Sequence, residues 1–348
     1  MRDLSTPLTR ALGVTYPIFC AGMGGAAGPE LVAAVSNAGG LGVAGASAVG
    51  PEAMPGFVTR IRALTTRPFG LNVIVDDHDL TVADIDELHQ QVAAAIHERP
   101  ALVVLFWGDP GPYVKEARKG GVKLFIQVGS VEEAVAAAEA GVDGVIAQGV
   151  EAGGHVRGTT SIWTLLPDAV RAVAPLPVVA SGGIGDGAGV ARALGLGAQA
   201  VSLGTRFVAS DEADVHPGYR QRIVDSTAAD TVLLPDLFDV GWPDAPHRVL
   251  RNKTFAEWDA AGRPRPGQRP GEGTSIGKRR RADGQVVDWP RYAIGTPNRD
   301  FQGDIEYAPL WAGESCSVVS DIRPAAEIVQ QLAHDANTLW QQPSSARR

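Results

Sequence analysis

Two glycine-rich segments in this 348-residue chain have the makings of an anion site. Ser181–Gly187 reads SGGIGDG and Leu203–Phe207 reads LGTRF, and each closes an apolar run. Glycines let successive backbone N–H groups face an anion with no Cβ in the way, and a following helix N-terminus adds a favourable dipole. Either segment alone reads equally well as a tight turn; together they make Ser181, Gly182, Gly183, Gly204 and Thr205 candidates for holding a phosphate monoester. A third segment, AQGVEAGGHVRG from Ala147 to Gly158, joins the amide of Gln148, a carboxylate, the paired glycines Gly153 and Gly154, and the imidazole of His155. Imidazole exchanges protons near neutral pH, and flanking glycines admit a planar ring or a small substrate. His155 is therefore the leading catalytic candidate, set against the plainer reading of a loop histidine bonded to backbone. Asn72 in FGLN matches an amide-like ring edge with one donor and one acceptor. Gln127 and Gln148 are further neutral partners, and Gly22, Met23 and Gly24 offer backbone.

These residues need a scaffold that brings several strand ends together. Eight apolar runs recur, PIFC, LGVAG, FGLNVIV, ALVVLFWG, KLFIQVGS, DGVIAQG, PLPVVAS and QAVSLGTRF, separated by segments with helical spacing such as Leu31, Val32, Val35 and Phe57, Ile61, Leu64. Ser130 followed by Glu133 has the spacing of a capping box, in which each side chain satisfies a backbone N–H at the helix start. Continuous Val/Ile/Leu runs alternating with helices mean a parallel sheet buried on both faces. The glycine clusters follow runs six to eight, whereas a doubly wound open sheet usually places them after the first. The expected fold is thus an α/β (β/α)₈ TIM barrel with its phosphate site at the C-terminal mouth.

The barrel core spans 1–215. From 216 to 305 the rhythm lapses into an irregular, proline- and glycine-rich excursion, and 306–348 forms a C-terminal segment whose helix packs back on the barrel. The excursion either covers the mouth, with Phe238, Trp242, His247 and Trp258 as wall residues, or makes a homodimer contact. Its basic run KRRR at 278–281 reads as a solvated loop, since the net charge of −8 and the lack of aromatic interleaving oppose a nucleic-acid role. A hydrophobic fraction of 45% with no run near the length of a membrane span fits a cytoplasmic protein without a membrane role. Cys20 and Cys316 have no metal-site or disulfide spacing and are expected to be packed thiols, with no metal bound.

PIFCAGMGG…NAGGLGVAGA, FGLNV, DGVIAQGVEAGGH and SGGIGDGAGVARALGLGAQAVSLGTRF, in that order and spacing over about residues 10–215, resemble the nitronate monooxygenase family. The resemblance implies an FMN-containing barrel oxidoreductase that oxidises a nitronate or nitroalkane with O₂. It implies phosphate on Gly182, Gly183, Gly204 and Thr205, Asn72 and the Gly22–Met23 backbone around the isoalloxazine, and His155 on the substrate side. A related family, the flavin-dependent enoyl-ACP reductases, has a similar glycine and histidine pattern. It makes NAD(P)H-dependent reduction of an enoyl thioester or quinone the alternative, with a non-redox phosphate-binding barrel as the third reading.

Overall fold

The computed structural model describes residues 4–76, 81–280 and 285–341. The eight apolar runs form strands β1 (Ile18–Cys20), β2 (Leu41–Gly45), β3 (Phe69–Ile74), β4 (Leu102–Phe106), β5 (Lys123–Val128), β6 (Gly144–Gln148), β8 (Val178–Ser181) and β9 (Ala200–Leu203); the short β7 (Gly154–His155) lies outside the barrel. Neighbours pair in parallel, and β9 returns to β1 with Val201 opposite Ile18, so the sheet closes as expected. Alternation along each strand sorts the side chains. Leu41, Val43, Leu102, Val104, Phe125, Ile146, Val179 and Ala200 fill the interior, while Val103, Leu105, Leu124, Ile126 and Val145 meet the surrounding helices. One inward step further along the strands come Asn72, Phe106, Gln127, Gln148, Ser181 and Ser202. The layer at the C-terminal mouth is therefore polar apart from Phe106.

The opposite end is closed by a helix that has no counterpart among the sequence-based expectations, Pro7–Leu12. Leu8 and Leu12 of this helix join the interior cluster, and Thr6 Oγ1 and Leu8 N bond the backbone and side chain of Gln199. Six residues are too few for helical periodicity to show in a sequence. The helix Val131–Ala140 starts at Ser130, whose hydroxyl accepts from Glu133 N, but the return half of the capping box does not form. Glu133 instead accepts from Gly129 N and from Arg157 Nε.

The excursion is more ordered than its composition suggests. β10 (Thr231–Leu234) and β11 (His247–Leu250) pair antiparallel, and β11 also pairs with β7, placing His247 opposite His155. A second small sheet orders β13 (Val286–Pro290), β12 (Ser275–Arg280) and β14 (Gln302–Gly303). Each has a core of its own, one around Leu237, Phe238, Phe255, Trp258 and Tyr292, the other around Trp289 and Phe301. These strands are only two to six residues long, too short for a period to mark them. Lys278, Arg279 and Arg280 of the basic run accordingly lie on a strand rather than a loop, with Lys278 and Arg280 exposed; Arg281 is outside the described residues.

The C-terminal helix, Ala325–Gln341, does pack on the barrel, against helices Gly187–Gly195 and Pro29–Asn37. A Cβ on Gly187 would come 2.3 Å from Asp335 Cβ, so only glycine permits that approach. Both cysteines are buried free thiols, as expected. No described helix is long and apolar enough to cross a membrane.

Candidate active site

The two glycine segments come together because β8 and β9 are neighbours in the barrel, with Ser181 opposite Ser202. Gly182 and Gly183 have φ of +92° and +69°, the left-handed region that suits glycine. A Cβ on Gly182 would lie 2.9 Å from Gly149 O. Among the described residues, no protein group accepts a hydrogen bond from the N–H of Gly182 or Gly183. Such unpaired donors, beside the start of helix Gly187–Gly195, suit an oxyanion. Gly204 and Thr205 stand at the end of β9, Met23 Sδ lies 3.6 Å from where a Cβ on Gly204 would be, and Thr205 Oγ1 accepts from Gly313 N. The residues present thus fit a phosphate monoester.

Asn72 is buried and gives its Nδ2 to Val104 O at 3.1 Å, leaving Oδ1 without a protein donor among the described residues. It fills the space beside Gly22, where a Cβ would fall 2.2 Å from Asn72 Cβ. Gly24 forms a bridge to Gly45 and faces open space. Four more of the expected residues have contacts within the chain or around a cavity. Gln148 donates Nε2 to His155 O and accepts at Oε1 from Arg157 N, so its amide fixes the loop carrying His155. Gly153 lets the C-terminal segment cross, since a Cβ there would lie 2.3 Å from Gly313 N, while Gly154 has φ of +72° and leads into His155. Gln127 lines a cavity of about 240 Å³ with Trp107, Asp109, Glu133 and Arg157.

His155 sits in an aromatic enclosure. Its ring centroid is 4.0 Å from Trp242, 5.3 Å from Trp311 and 5.7 Å from His247. Trp242 in turn meets Trp107 at 5.1 Å and Phe106 at 6.3 Å. His155 Nδ1 is shut off from solvent and has no hydrogen-bond partner among the described residues. Burial, with a smaller contribution from His247, pushes the His155 pKa down to about 3. The unperturbed titration near neutrality expected from sequence is therefore corrected: the ring is held neutral. His247 is buried too, its Nδ1 bonded to Ala245 O and its Nε2 accepting from Phe238 N, and burial lowers its pKa as well.

Of the four wall candidates, Trp242 touches His155 directly and His247 backs it. Phe238 stands behind, 6.0 Å from Trp311, and Trp258 is elsewhere, packed on Phe255 and bonded to Pro264 O. Trp107 and Trp311 escaped the sequence reading. Trp107 was legible as the end of β4, but Trp311 is held at the mouth by tertiary contacts, its bridge to Val249 and its Nε1 bond to Gly295 O.

The nitronate monooxygenase family profile matches residues 5–335. A nitronate monooxygenase of Paraburkholderia phytofirmans is 31% identical, covering 93% of this chain and 93% of that one. A Mycobacterium tuberculosis (3aS,4S,5R,7aS)-5-hydroxy-7a-methyl-1-oxo-octahydro-1H-indene-4-carboxyl-CoA dehydrogenase is 28% identical, covering 98% and 99%. Among solved structures, FabK from Thermotoga maritima superposes with a TM-score of 0.78 at 32% identity, covering 96% of both chains. The nitroalkane oxidase of Streptomyces ansochromogenes gives 0.75 at 26%, covering 96% of this chain and 98% of that one. With a profile that runs through barrel, excursion and C-terminal helix alike, the chain belongs to the nitronate monooxygenase family of flavin-dependent oxidoreductases.

Proposed function

We propose that the chain is an FMN-dependent nitronate monooxygenase, oxidising alkyl nitronates with O₂. The observation that carries the reading is the unpartnered, solvent-shielded Nδ1 of His155 in a mouth that also holds the unpaired N–H groups of Gly182 and Gly183. Ser181, Gly182, Gly183, Gly204 and Thr205 would hold the phosphate, and Asn72 with the Gly22–Met23 backbone would border the ring. FMN, when bound, supplies the redox chemistry between substrate and oxygen. The chain's own part is to bind and orient. A neutral imidazole donates one N–H, which can bond an oxygen of a nitronate, and the surrounding rings exclude water that would weaken that bond. A nitronate is already deprotonated at carbon and asks for no base. A ring held neutral down to about pH 3 is a weak proton acceptor, which favours nitronates over neutral nitroalkanes.

Anaerobic mixing tests the reading: ethyl or propyl nitronate should bleach the flavin absorbance, and O₂ should restore it. His155→Ala should retain FMN and lose about 10²–10³-fold in kcat/KM, the scale of one lost oxyanion donor. Wild-type kcat/KM with preformed nitronate should show no inflection near pH 6.5. The likeness to FabK and to the carboxyl-CoA dehydrogenase favours a second reading, NAD(P)H-dependent reduction of an enoyl thioester. Flavin that stays oxidised with nitronates but bleaches rapidly with NADH or NADPH would replace the first reading with the second.

A further inference from the structure

Three rings enclose His155, and they are held very differently. His247 is fixed within the β10–β11–β7 sheet by both ring nitrogens. Trp311 is fixed by a bridge to Val249 and by Nε1 donating to Gly295 O at 2.7 Å. Trp242 instead rides on the tip Gly241–Asp244, whose other three residues are exposed. Both ends of that tip are anchored. On one side Arg269 bonds Leu237 O and the Asp239 carboxylate, and Val240 bridges to Ala293; on the other, Ala245 is buried against His247. The tip itself is a short hinge-like turn, with Gly241 at φ +104° and Asp244 at φ +54° on either side of Trp242 and Pro243. Across the mouth Trp242 Nε1 donates to Asp76 Oδ2 at 2.6 Å, beyond the end of β3.

A centroid separation of 4.0 Å between Trp242 and His155 is direct ring contact, with no room for a third layer between them. No substrate group can meet the His155 ring on that face while Trp242 stays. We propose that Trp242 is the gate and size-selecting residue of this active site, latched shut by Asp76 and swinging out on the Gly241–Asp244 turn to admit substrate. Swung out, the indole leaves the apolar body of the substrate to lie against Phe106 and Trp107, its present neighbours. The site then takes substrates with a sizeable apolar body, and the space Trp242 clears sets the upper limit. The inference rests on the reading that His155 meets the substrate, and its test does not depend on turnover.

The probe is diethyl pyrocarbonate, which acylates neutral imidazole, applied to the flavin-loaded protein with modification of His155 followed by peptide mass spectrometry. Trp242→Ala should accelerate His155 modification by tenfold or more. Asp76→Asn, nearly isosteric and away from the core, should do so by several-fold, because it weakens the charge-assisted hydrogen bond from Trp242 Nε1. Equal rates in wild type and both variants would overturn the proposal, and so would acceleration in Trp242→Ala alone for the latch. Size selection is read separately, as kcat/KM over nitronates from ethyl to hexyl and 2-phenylethyl. Trp242→Ala should shift preference about tenfold toward the larger ones, and an unchanged profile would overturn that part. Absence of nitronate turnover in wild type would count against the proposed function, while the labelling rates still report on the gate.

Discussion

The two sides of the barrel mouth are built from different material. On the β8–β9 side the candidate groups are the backbone N–H donors of Gly182 and Gly183, both in the turn that follows β8, with Gly204 and Thr205 just beyond the neighbouring β9. Around the rest of the mouth they are rings, with Phe106 and Trp107 at the end of β4, His155 on β7, Trp242 in the excursion and Trp311 in the C-terminal segment. A backbone cradle is indifferent to side-chain chemistry but intolerant of any Cβ. The aromatic side tolerates no loosening of the segments that deliver it, since its rings come from four separate segments of the chain, the end of β4, β7, the excursion and the C-terminal segment. The first arrangement suits an invariant group such as phosphate; the second can be retuned ring by ring for different substrates.

The largest effect that would sharpen this contrast is at Arg269. Its guanidinium is buried, ion-paired with Asp239 and Glu272, and stacked 4.2 Å over Tyr292, so it braces the base of the Trp242 turn. Arg269→Ala leaves those carboxylates without their cation and should cost about 3–5 kcal/mol of stability in the excursion. Denaturant melts and hydrogen exchange should show the loss confined to the aromatic side, with flavin affinity changed by less than about threefold. Equal loosening of both sides would end the distinction.

Next comes the cradle itself. Gly182→Val puts a β-branched residue at φ +92° with its Cβ 2.9 Å from Gly149 O, and flavin affinity should fall by at least about 10²-fold in a fluorescence titration. The proposed phosphate site would be wrong if this variant bound flavin as wild type does.

The smallest effect is a pH dependence from His155. Its folded pKa of about 3 lies below the ordinary value of 6.5, so the unfolded chain binds the proton more readily. Stability from this group is complete above pH 6.5 and declines as pH falls from there toward 3, by about 2 kcal/mol at pH 5. Comparing urea melts of wild type and His155→Asn at pH 7.5 and pH 5 isolates that contribution. A stability difference unchanged between the two pH values would show that the ring titrates freely.

Much of the barrel side could be read directly. The run boundaries, the helices Pro29–Asn37 and Met54–Leu64, and the meeting of SGGIGDG with LGTRF all follow from local periodicity, because consecutive βα units sit side by side. His155 stood out by its residue type and its glycine neighbours. Its chemistry did not, since the shift from ordinary titration to a neutral ring depends on burial by residues far away in the chain. Gln148 and Gly153 also have partners within the chain that local spacing does not reveal: one holds the His155 loop and the other admits Gly313.

The sequence by itself determined the repeating units, their closure into a barrel and the strand ends that carry glycines, because each depends on residues within a turn or two of one another. Only the tertiary structure decided which rings surround His155. Residues 107, 155, 242 and 311 share no period and no motif. They meet because a two-residue strand pairs with β11 and the C-terminal segment bridges to Val249. Short antiparallel pairings between distant segments are selected by the packing they complete, and local spacing carries no trace of them.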